Sequence, residues 1–345
     1  MPTPINISAS RGAAILGLSK WSTPTKVWLQ IMEARKPGFC EKNNYEFPVF
    51  VDSAQIRWGK AFESAIIDLA SKKQNSEIVK REKLCSLGGF NPFITCHIDG
   101  EYDPFSANKI LHEGKTTSIF YYRDNFGEPG TDKIPVEYQI QCQHQMICTG
   151  AEKVILSVLV FPRRVDDWDA MGWRTHFDGT EYILIDNKKT VMANIVIEHP
   201  ENWAHTLDQM GYFHQYEIHA NPELQALMIS NYKKFWKNNI LKKNPPQPKN
   251  YDDIRALVRN PIGTIIADEH MERVVSEYKN IKSEIGDSGT LAKRIDQIKV
   301  DILKFMESAS SVVDDDTKDK WILRDRAGNK IASYGKNKKG NMVFR

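Results

Sequence analysis

The run Phe93-Ile94-Thr95-Cys96-His97-Ile98-Asp99-Gly100, followed by Ile110-Leu111-His112-Glu113-Gly114-Lys115, decides how this chain reads. Phe93 to Ile98 has the composition of a strand and stops at Asp99-Gly100, a turn signal. Ile110 to Lys115 reads as the returning strand of an antiparallel pair. Side chains alternate along a strand, so Glu113 and Lys115 project to the same side. Pairing the two strands would bring Asp99 beside Glu113. Two carboxylates held close repel each other and favour a divalent cation that prefers oxygen ligands. Such an ion polarises a phosphoryl oxygen, generates hydroxide from water and stabilises a leaving alkoxide. A neighbouring lysine can orient the water and offset the charge that develops. Taken singly, an E-x-K in a strand is an ordinary ion pair and a D-G an ordinary turn. Their order and surroundings give the reading its weight.

Upstream, Ile7 to Leu29 reads as a polar turn followed by a helix. A second helix pattern runs from about Ser53 to Ser71, with Phe62, Ile66 and Leu69 at helical spacing. Glu63 lies beside that apolar stripe, where a carboxylate calls for a positive partner. Downstream, Thr116 to Asp132 reads as a loop rich in Tyr, Gly and Asp. Pro135 suits the first turn of a helix that runs to Gly150 as its C-cap and carries Gln141 and Gln143. Lys153 to Phe161 has the apolar, β-branched character of a buried strand. Glu181 to Asp186 suggests another strand, and His199 to Leu241 two amphipathic helices broken near Asn221-Pro222. Lys242 to Asn250, with its prolines, reads as a stiff linker. Asp268 to Ser308 reads as a helical hairpin turning near Gly286 to Gly289, and Trp321 to Arg345 as a small β-meander.

Over its 345 residues the chain has room for a core domain and an appended module, and aromatics are plentiful enough for a sizeable core. The five cysteines show no C-x-x-C spacing, which points to reduced thiols in a cytosolic protein. No apolar run approaches the length of a membrane span, and no signal-peptide pattern opens the chain. A net charge of +3 requires any basic footprint for nucleic acid to be local. A candidate for such a footprint, or else a solvated face of the meander, lies at the end, where Lys318, Lys320, Arg324, Arg326, Lys330, Lys336, Lys338, Lys339 and Arg345 stand against only Asp319 and Asp325.

Five ordered segments then carry a resemblance: Ser8-Ala9-Ser10-Arg11-Gly12-Ala13-Ala14-Ile15-Leu16-Gly17, Trp58-Gly59-Lys60-Ala61-Phe62-Glu63, Ile98-Asp99-Gly100, Glu113-Gly114-Lys115 and Tyr138-Gln139-Ile140-Gln141-Cys142-Gln143. Together, over about residues 7–240, they resemble the YqaJ-type viral recombinases, the group of the phage lambda exonuclease within the PD-(D/E)XK nucleases. The resemblance implies an α/β (α+β) fold. Its restriction-endonuclease-like core, a mixed central sheet flanked by helices, would span residues 1–241. A linker at 242–250 and a C-terminal helical hairpin with a basic β-meander at 251–345 would follow. It implies a Mg²⁺-dependent exonuclease, with Mn²⁺ able to substitute, that digests linear duplex DNA 5′ to 3′ and leaves 3′ overhangs for recombination.

Residue by residue, the resemblance makes Asp99 and Glu113 metal ligands, with the Gly114 carbonyl completing the shell and Lys115 positioning or activating water. Glu63 would assist at the metal, and Gln141 would align water or scissile phosphate with Gln143 as its partner. Ser10 and Arg11 would receive a terminal 5′-phosphate, although a helix-capping role suits them too. A further upstream arginine of the lambda-type enzyme has no clear counterpart before Ser8. The loop from Asp99 to Glu113 is longer than in that enzyme, which leaves Asp103 as the runner-up ligand. Tyr121, Tyr122 and Phe126 are candidates to stack on a base at the duplex end. Expected partners are DNA ends, a single-strand annealing protein and further copies in a trimeric ring. The expected location is the cytoplasm, that of a bacterial host if the chain is phage-encoded. A restriction-like endonuclease or a non-catalytic DNA-end binding protein would share many of these residues.

Overall fold

A computed structural model describes residues 5–49, 54–79, 84–102, 108–161, 173–177, 182–186, 200–258, 261–284, 289–309, 320–337 and 339–345. The chain divides into two compact units. One comprises Asn6–Lys20 with Val49–Lys234, the other Met1–Ile5, Trp21–Pro48 and Phe235–Arg345.

The first unit is built on strand β1 (Ile7–Ser8), helix α1 (Gly12–Ile15), α2 (Ala54–Gln74), β2 (Ile78–Val79), β3 (Cys85–Ser86), β4 (Ile94–Cys96), β5 (Gly100–Tyr102), β6 (Ile110–Ser118), α3 (Ile119–Asn125), α4 (Val136–Thr149), β7 (Lys153–Phe161), β8 (Trp173–Phe177), β9 (Tyr182–Asp186), α5 (Pro200–Gln209), β10 (Phe213–His219) and α6 (Pro222–Phe235). Its central sheet has five strands in the order β10-β7-β6-β5-β2. The β6–β7 pair is parallel and the other pairs antiparallel, so the sheet is mixed. Helices cover both faces. Ile155 and Leu159 of β7 pack with Phe62, Ile66 and Leu69 of α2 and with Trp203 and Leu207 of α5. Leu156, Val158 and Val160 pack on the opposite side with Cys142 and Met146 of α4. A strand covered on both faces needs a continuous apolar run, which is what Lys153–Phe161 supplies. The mixed α/β architecture is the expected one.

Three local expectations are corrected here. The strand at Ile94–Cys96 does not pair with β6; it joins a separate sheet of order β1-β4-β3. The antiparallel partner of β6 is β5, in the register Gly100↔His112 and Tyr102↔Ile110. Ile94, Thr95 and Cys96 are all buried, so the residues carried no face preference that could identify the partner strand. The stretch expected as a loop after Thr116 contains α3, whose first turn is capped where Tyr121 N donates to Ser118 Oγ at 3.3 Å. The segment 213–219, expected to be helical, is an edge strand that buries Phe213, Tyr216 and Ile218. By contrast, α4 ends at Gly150, which takes φ 71° as its left-handed cap.

In the second unit, helices Glu269–Glu284 and Gly289–Ser308 are followed by strands Lys320–Arg324, Lys330–Lys336 and Met342–Phe344. A further strand, Gly263–Ile266, adds in parallel to Lys320–Arg324. Met271, Val275 and Tyr278 from the first helix and Ile298, Leu303 and Met306 from the second share a core with Leu323, Tyr334 and Phe344 of the sheet. The proline-containing run at 242–250 lies inside this unit. Asn250 Oδ1 accepts from Asp253 N at 2.9 Å, capping the helix Tyr251–Leu257. The buried Asp253 explains why Trp21–Pro48 joins here and not the first unit. Its Oδ1 accepts from Thr23 Oγ1 at 2.6 Å and its Oδ2 from Lys249 N at 2.8 Å. Trp28 Nε1 adds a hydrogen bond to Asn239 O at 3.0 Å. No local pattern could have announced a bond spanning 230 residues.

Candidate active site

Glu113 sits in the middle of β6 with 2% of its surface exposed. Leu111 shares its face and packs in the α4 core. His112 and Gly114 point the other way, toward α2: a Cβ added at Gly114 would lie 3.2 Å from Ile66 Cγ2. The same Cβ would lie 3.8 Å from Asp99 Oδ2, so glycine lets helix and carboxylate approach the strand together. Extending the β5–β6 register by one residue sets Asp99 opposite Glu113. Asp99 Oδ2 accepts a hydrogen bond from Gly114 N at 2.9 Å, which anchors it at that position. The expected juxtaposition therefore arises through β5 and not through β4.

A carboxylate buried this deeply needs compensation. Lys115 Nζ is hydrogen bonded to Glu113 Oε1. Gln141 Nε2 donates to the same oxygen and Gln145 Nε2 to Oε2, each at 2.5 Å. Burial, and next the charge of Asp99, push the Glu113 carboxyl above its usual range, while Lys115 and Gln145 oppose that rise. The Lys115 ammonium is moved in the other sense. Burial disfavours its charge, but Glu113 and Asp99 outweigh that and hold it protonated, above its ordinary value. Its Nζ also lies 5.5 Å from the centre of the Tyr138 ring, a cation–π contact.

Helix α4 thus presents Tyr138, Gln141 and Gln145 on one side, the spacing of successive helical turns. Gln145 and Tyr138 were not among the residues singled out by sequence; their offsets of three and four from Gln141 were the available signal. Gln143 lies on another side of the helix. Its Nε2 donates to His219 O at 2.7 Å, and its Oε1 accepts from Asn221 N and Gln225 Nε2, both at 3.0 Å. With its amide so committed and 2% of its surface exposed, Gln143 secures the junction of β10 and α6 and is not brought to Glu113.

Glu63 is partly buried on α2, the helix over the His112 and Gly114 face of β6. Its charge is felt at the His112 imidazole. His112 itself is fully buried with neither ring nitrogen hydrogen bonded, and burial pushes its pKa down to about 4. Ser10 is exposed in the turn that follows β1, with its Oγ 3.3 Å from Ser8 Oγ. That turn packs on α4, where a Cβ at Gly12 would lie 3.0 Å from Ile140 Cγ2, next to Gln141. Arg11 is partly buried, and desolvation lowers its pKa to about 10, so it remains cationic near neutrality. Among the aromatic candidates, Tyr122 stacks on Phe126 and His214 and bonds Tyr216 Oη at 2.7 Å. Phe126 is buried, so these two rings serve packing. Tyr121 remains partly exposed, with Lys20 Nζ 5.9 Å from its ring centre. Asp103 lies outside the described residues.

Among the described residues no group of three or more His, Cys, Asp or Glu gathers as a metal site. Asp99 and Glu113 alone, with a main-chain carbonyl, form a hard-oxygen set poor in protein ligands. Mg²⁺ suits such a set, because it commonly binds through one or two carboxylates and keeps several waters. A cation there would also relieve the repulsion that raises Glu113.

Residues 4–152 match the family model of the YqaJ-like viral recombinase domain. Over 159 residues the chain is 28% identical to the uncharacterized protein YqaJ of Bacillus subtilis, covering 45% of this chain and 43% of that protein. The chain thus matches less than half the length of this curated relative. Similar solved structures include an alkaline exonuclease from Laribacter hongkongensis, at 14% identity and a TM-score of 0.43, over 70% of this chain and 90% of that one. A phage related exonuclease from Haemophilus somnus follows at 16% identity and 0.40, over 69% and 96%. The residues Asp99, Glu113, Lys115 and Gln141 all lie within the stretch that matches the YqaJ-like viral recombinase domain.

Proposed function

We propose that this protein is a Mg²⁺-dependent exonuclease of linear double-stranded DNA, acting 5′ to 3′ and leaving 3′ single-stranded overhangs. The observation that carries the reading is Glu113, buried beside Asp99 and bonded by Lys115 and Gln141, within a YqaJ-like domain. Asp99, Glu113 and the Gly114 carbonyl would hold the divalent ion, which, when bound, polarises the phosphoryl group and lowers the pKa of water. Lys115, kept protonated by its carboxylate neighbours, offsets negative charge growing on the scissile phosphate and orients the attacking water. Gln141 fixes Glu113 through Nε2, and its Oε1 is an acceptor for the attacking water. Glu63 acts from the α2 side. The turn bearing Ser10 and Arg11 receives the terminal 5′-phosphate, where a desolvated guanidinium makes charge-assisted hydrogen bonds.

The deciding experiment offers purified protein with Mg²⁺ both linear and covalently closed plasmid. Digestion of linear duplex alone supports the exonuclease. Cutting of circles would make it a restriction-like endonuclease, and no digestion a DNA-end binding protein.

A further inference from the structure

We infer that Gln145 is a positioning residue that holds Glu113 and the chain leading into Asp99 in one arrangement, and so sets the affinity of the site for a divalent cation. The inference deepens the nuclease reading and rests on it. Gln145 is 1% exposed, one helical turn beyond Gln141. Its Nε2 donates to Glu113 Oε2 at 2.5 Å and lies 3.5 Å from His97 O, two residues before Asp99. The same helix reaches β4 twice more. His144 Nε2 bonds Thr95 O at 3.0 Å, and Cys148 Sγ lies 3.6 Å from Ile94 O. Helix α4 therefore rests on the carbonyls of the strand that delivers Asp99 while its glutamines hold the carboxylate of Glu113. Gln145 touches both.

Chemistry fixes which way its amide points. The His97 carbonyl only accepts hydrogen bonds, so Gln145 turns Nε2 toward it and toward Glu113. Its Oε1 is then left buried with no hydrogen-bond partner. A buried orphan acceptor is unfavourable, and its presence on the side chain that holds Glu113 leaves the site short of a donor. The waters of a hydrated cation are such donors. Residues that bond metal ligands and orient them govern affinity in this way, and their loss typically weakens metal binding ten- to a hundredfold.

The test uses the full chain and Mn²⁺ as the probe, titrated calorimetrically into wild type, Gln145→Leu and Gln145→Asn. Leucine keeps the volume and removes the amide; asparagine keeps a shorter amide and guards against a leucine variant that does not fold. The expected result is Mn²⁺ affinity about ten- to a hundredfold lower in Gln145→Leu, with the asparagine variant between. Metal-free duplex affinity should match wild type, the melting temperature should fall by no more than the loss of one buried hydrogen bond brings, and cleavage by the variant should recover as Mn²⁺ is raised. Unchanged Mn²⁺ affinity overturns the inference, as does a loss that only parallels a fall in melting temperature. A wild type that binds Mn²⁺ but leaves linear duplex intact overturns the nuclease reading instead, while the isotherms still judge Gln145. A wild type that takes up no Mn²⁺ overturns both.

Discussion

The two units of this chain use charge in opposite ways. In the first, Glu113 and Lys115 are buried together under helix α4, and two glutamine amides complete the bonds of the carboxylate. In the second, a buried carboxylate, Asp253, is held by neutral donors, and the ion pairs lie outside: Arg273 bonds Glu269 at 2.9 Å, Arg294 bonds Glu277 at 2.7 Å and Arg326 bonds Glu272 at 2.9 Å, all on exposed or partly exposed side chains. Exposed pairs of this kind are worth about 0–1 kcal/mol and are screened by salt. Removing one partner of a buried pair costs roughly 3–5 kcal/mol, because the other charge is stranded. Substitutions in the first unit should therefore act strongly and specifically, and those in the second weakly and through ionic strength.

The largest effect is expected at Lys115. Lys115→Ala should lower cleavage of linear duplex by at least about a hundred- to a thousandfold, the usual loss on removing one charge-stabilising group. Metal-free duplex affinity should barely change, as read by fluorescence anisotropy. Cleavage near the wild-type rate would sink the assignment of Glu113-Gly114-Lys115. Asp99→Ala and Glu113→Ala should lose Mn²⁺ binding along with activity. Should Asp103→Ala be the inactive variant while Asp99→Ala cleaves normally, the ligand has been misassigned.

Burial without charge gives the next effect. His112 and His144 are fully buried, and desolvation lowers both pKa values to about 4. The folded state holds them neutral, whereas the unfolded chain takes up protons as pH falls through about 6.5. Their contribution is thus complete above 6.5 and is lost as pH falls toward 4, at roughly 2 kcal/mol per histidine by pH 5. His144 is bonded to Thr95 O, but His112 makes no hydrogen bond, so His112→Leu removes the titration with little else. Urea denaturation at pH 7.5 and 5 should show a smaller acid loss in that variant. An equal loss would show that His112 is not held neutral.

How far the first unit was legible in its residues follows from the same contrast. Strand alternation acts locally, so Glu113 and Lys115 could be set on one side, whereas Asp99 was brought to them through the wrong partner strand and Gln141 came from the resemblance. Lys153–Phe161 could be read because burial on two faces demands one residue type. Gln145 could not, since its role depends on which carbonyls pass beneath α4. Gln143 was misjudged because sequence proximity to Gln141 says nothing about helical face. The pairing of β5 with β6, and the transfer of Trp21–Pro48 to the second unit through Asp253, were invisible because hydrogen bonds between distant segments leave no periodicity.

A milder test of the first unit concerns its exposed rim. Ser10 is exposed and Arg11 only partly buried, so water competes with them for a phosphate. Duplex with a 5′-phosphate should be digested several-fold faster than 5′-hydroxyl duplex, less than the roughly 1.5–3 kcal/mol of a charge-assisted hydrogen bond, because water competes at this rim. Arg11→Ala should narrow the gap. Equal rates on both substrates in the wild type would remove the pocket from the proposal.

The smallest effect belongs to the basic end of the second unit, where the structure has thinned the candidate contacts. Arg326 is engaged by Glu272, and Arg324 Nη1 donates to Gly328 O at 2.9 Å. Lys318 and Lys338 lie outside the described residues. Lys330, Lys336, Lys339 and Arg345 are exposed. Lysines along a sheet edge also discourage edge-to-edge association, so exposure alone does not make them DNA ligands. What separates the two roles is salt. Each phosphate neutralised on duplex DNA adds about 0.9 to the slope of log affinity against log salt. Replacing Lys330, Lys336 and Lys339 with alanine should flatten that slope by about 1–3 and shorten processive runs. Mg²⁺-dependent cleavage of short duplexes should stay at the wild-type rate, because Asp99, Glu113 and Lys115 all belong to the first unit and these lysines to the second. Coincident slopes would mean that these lysines do not meet phosphate, and a rise in aggregation instead would mark them as guards of the sheet edge.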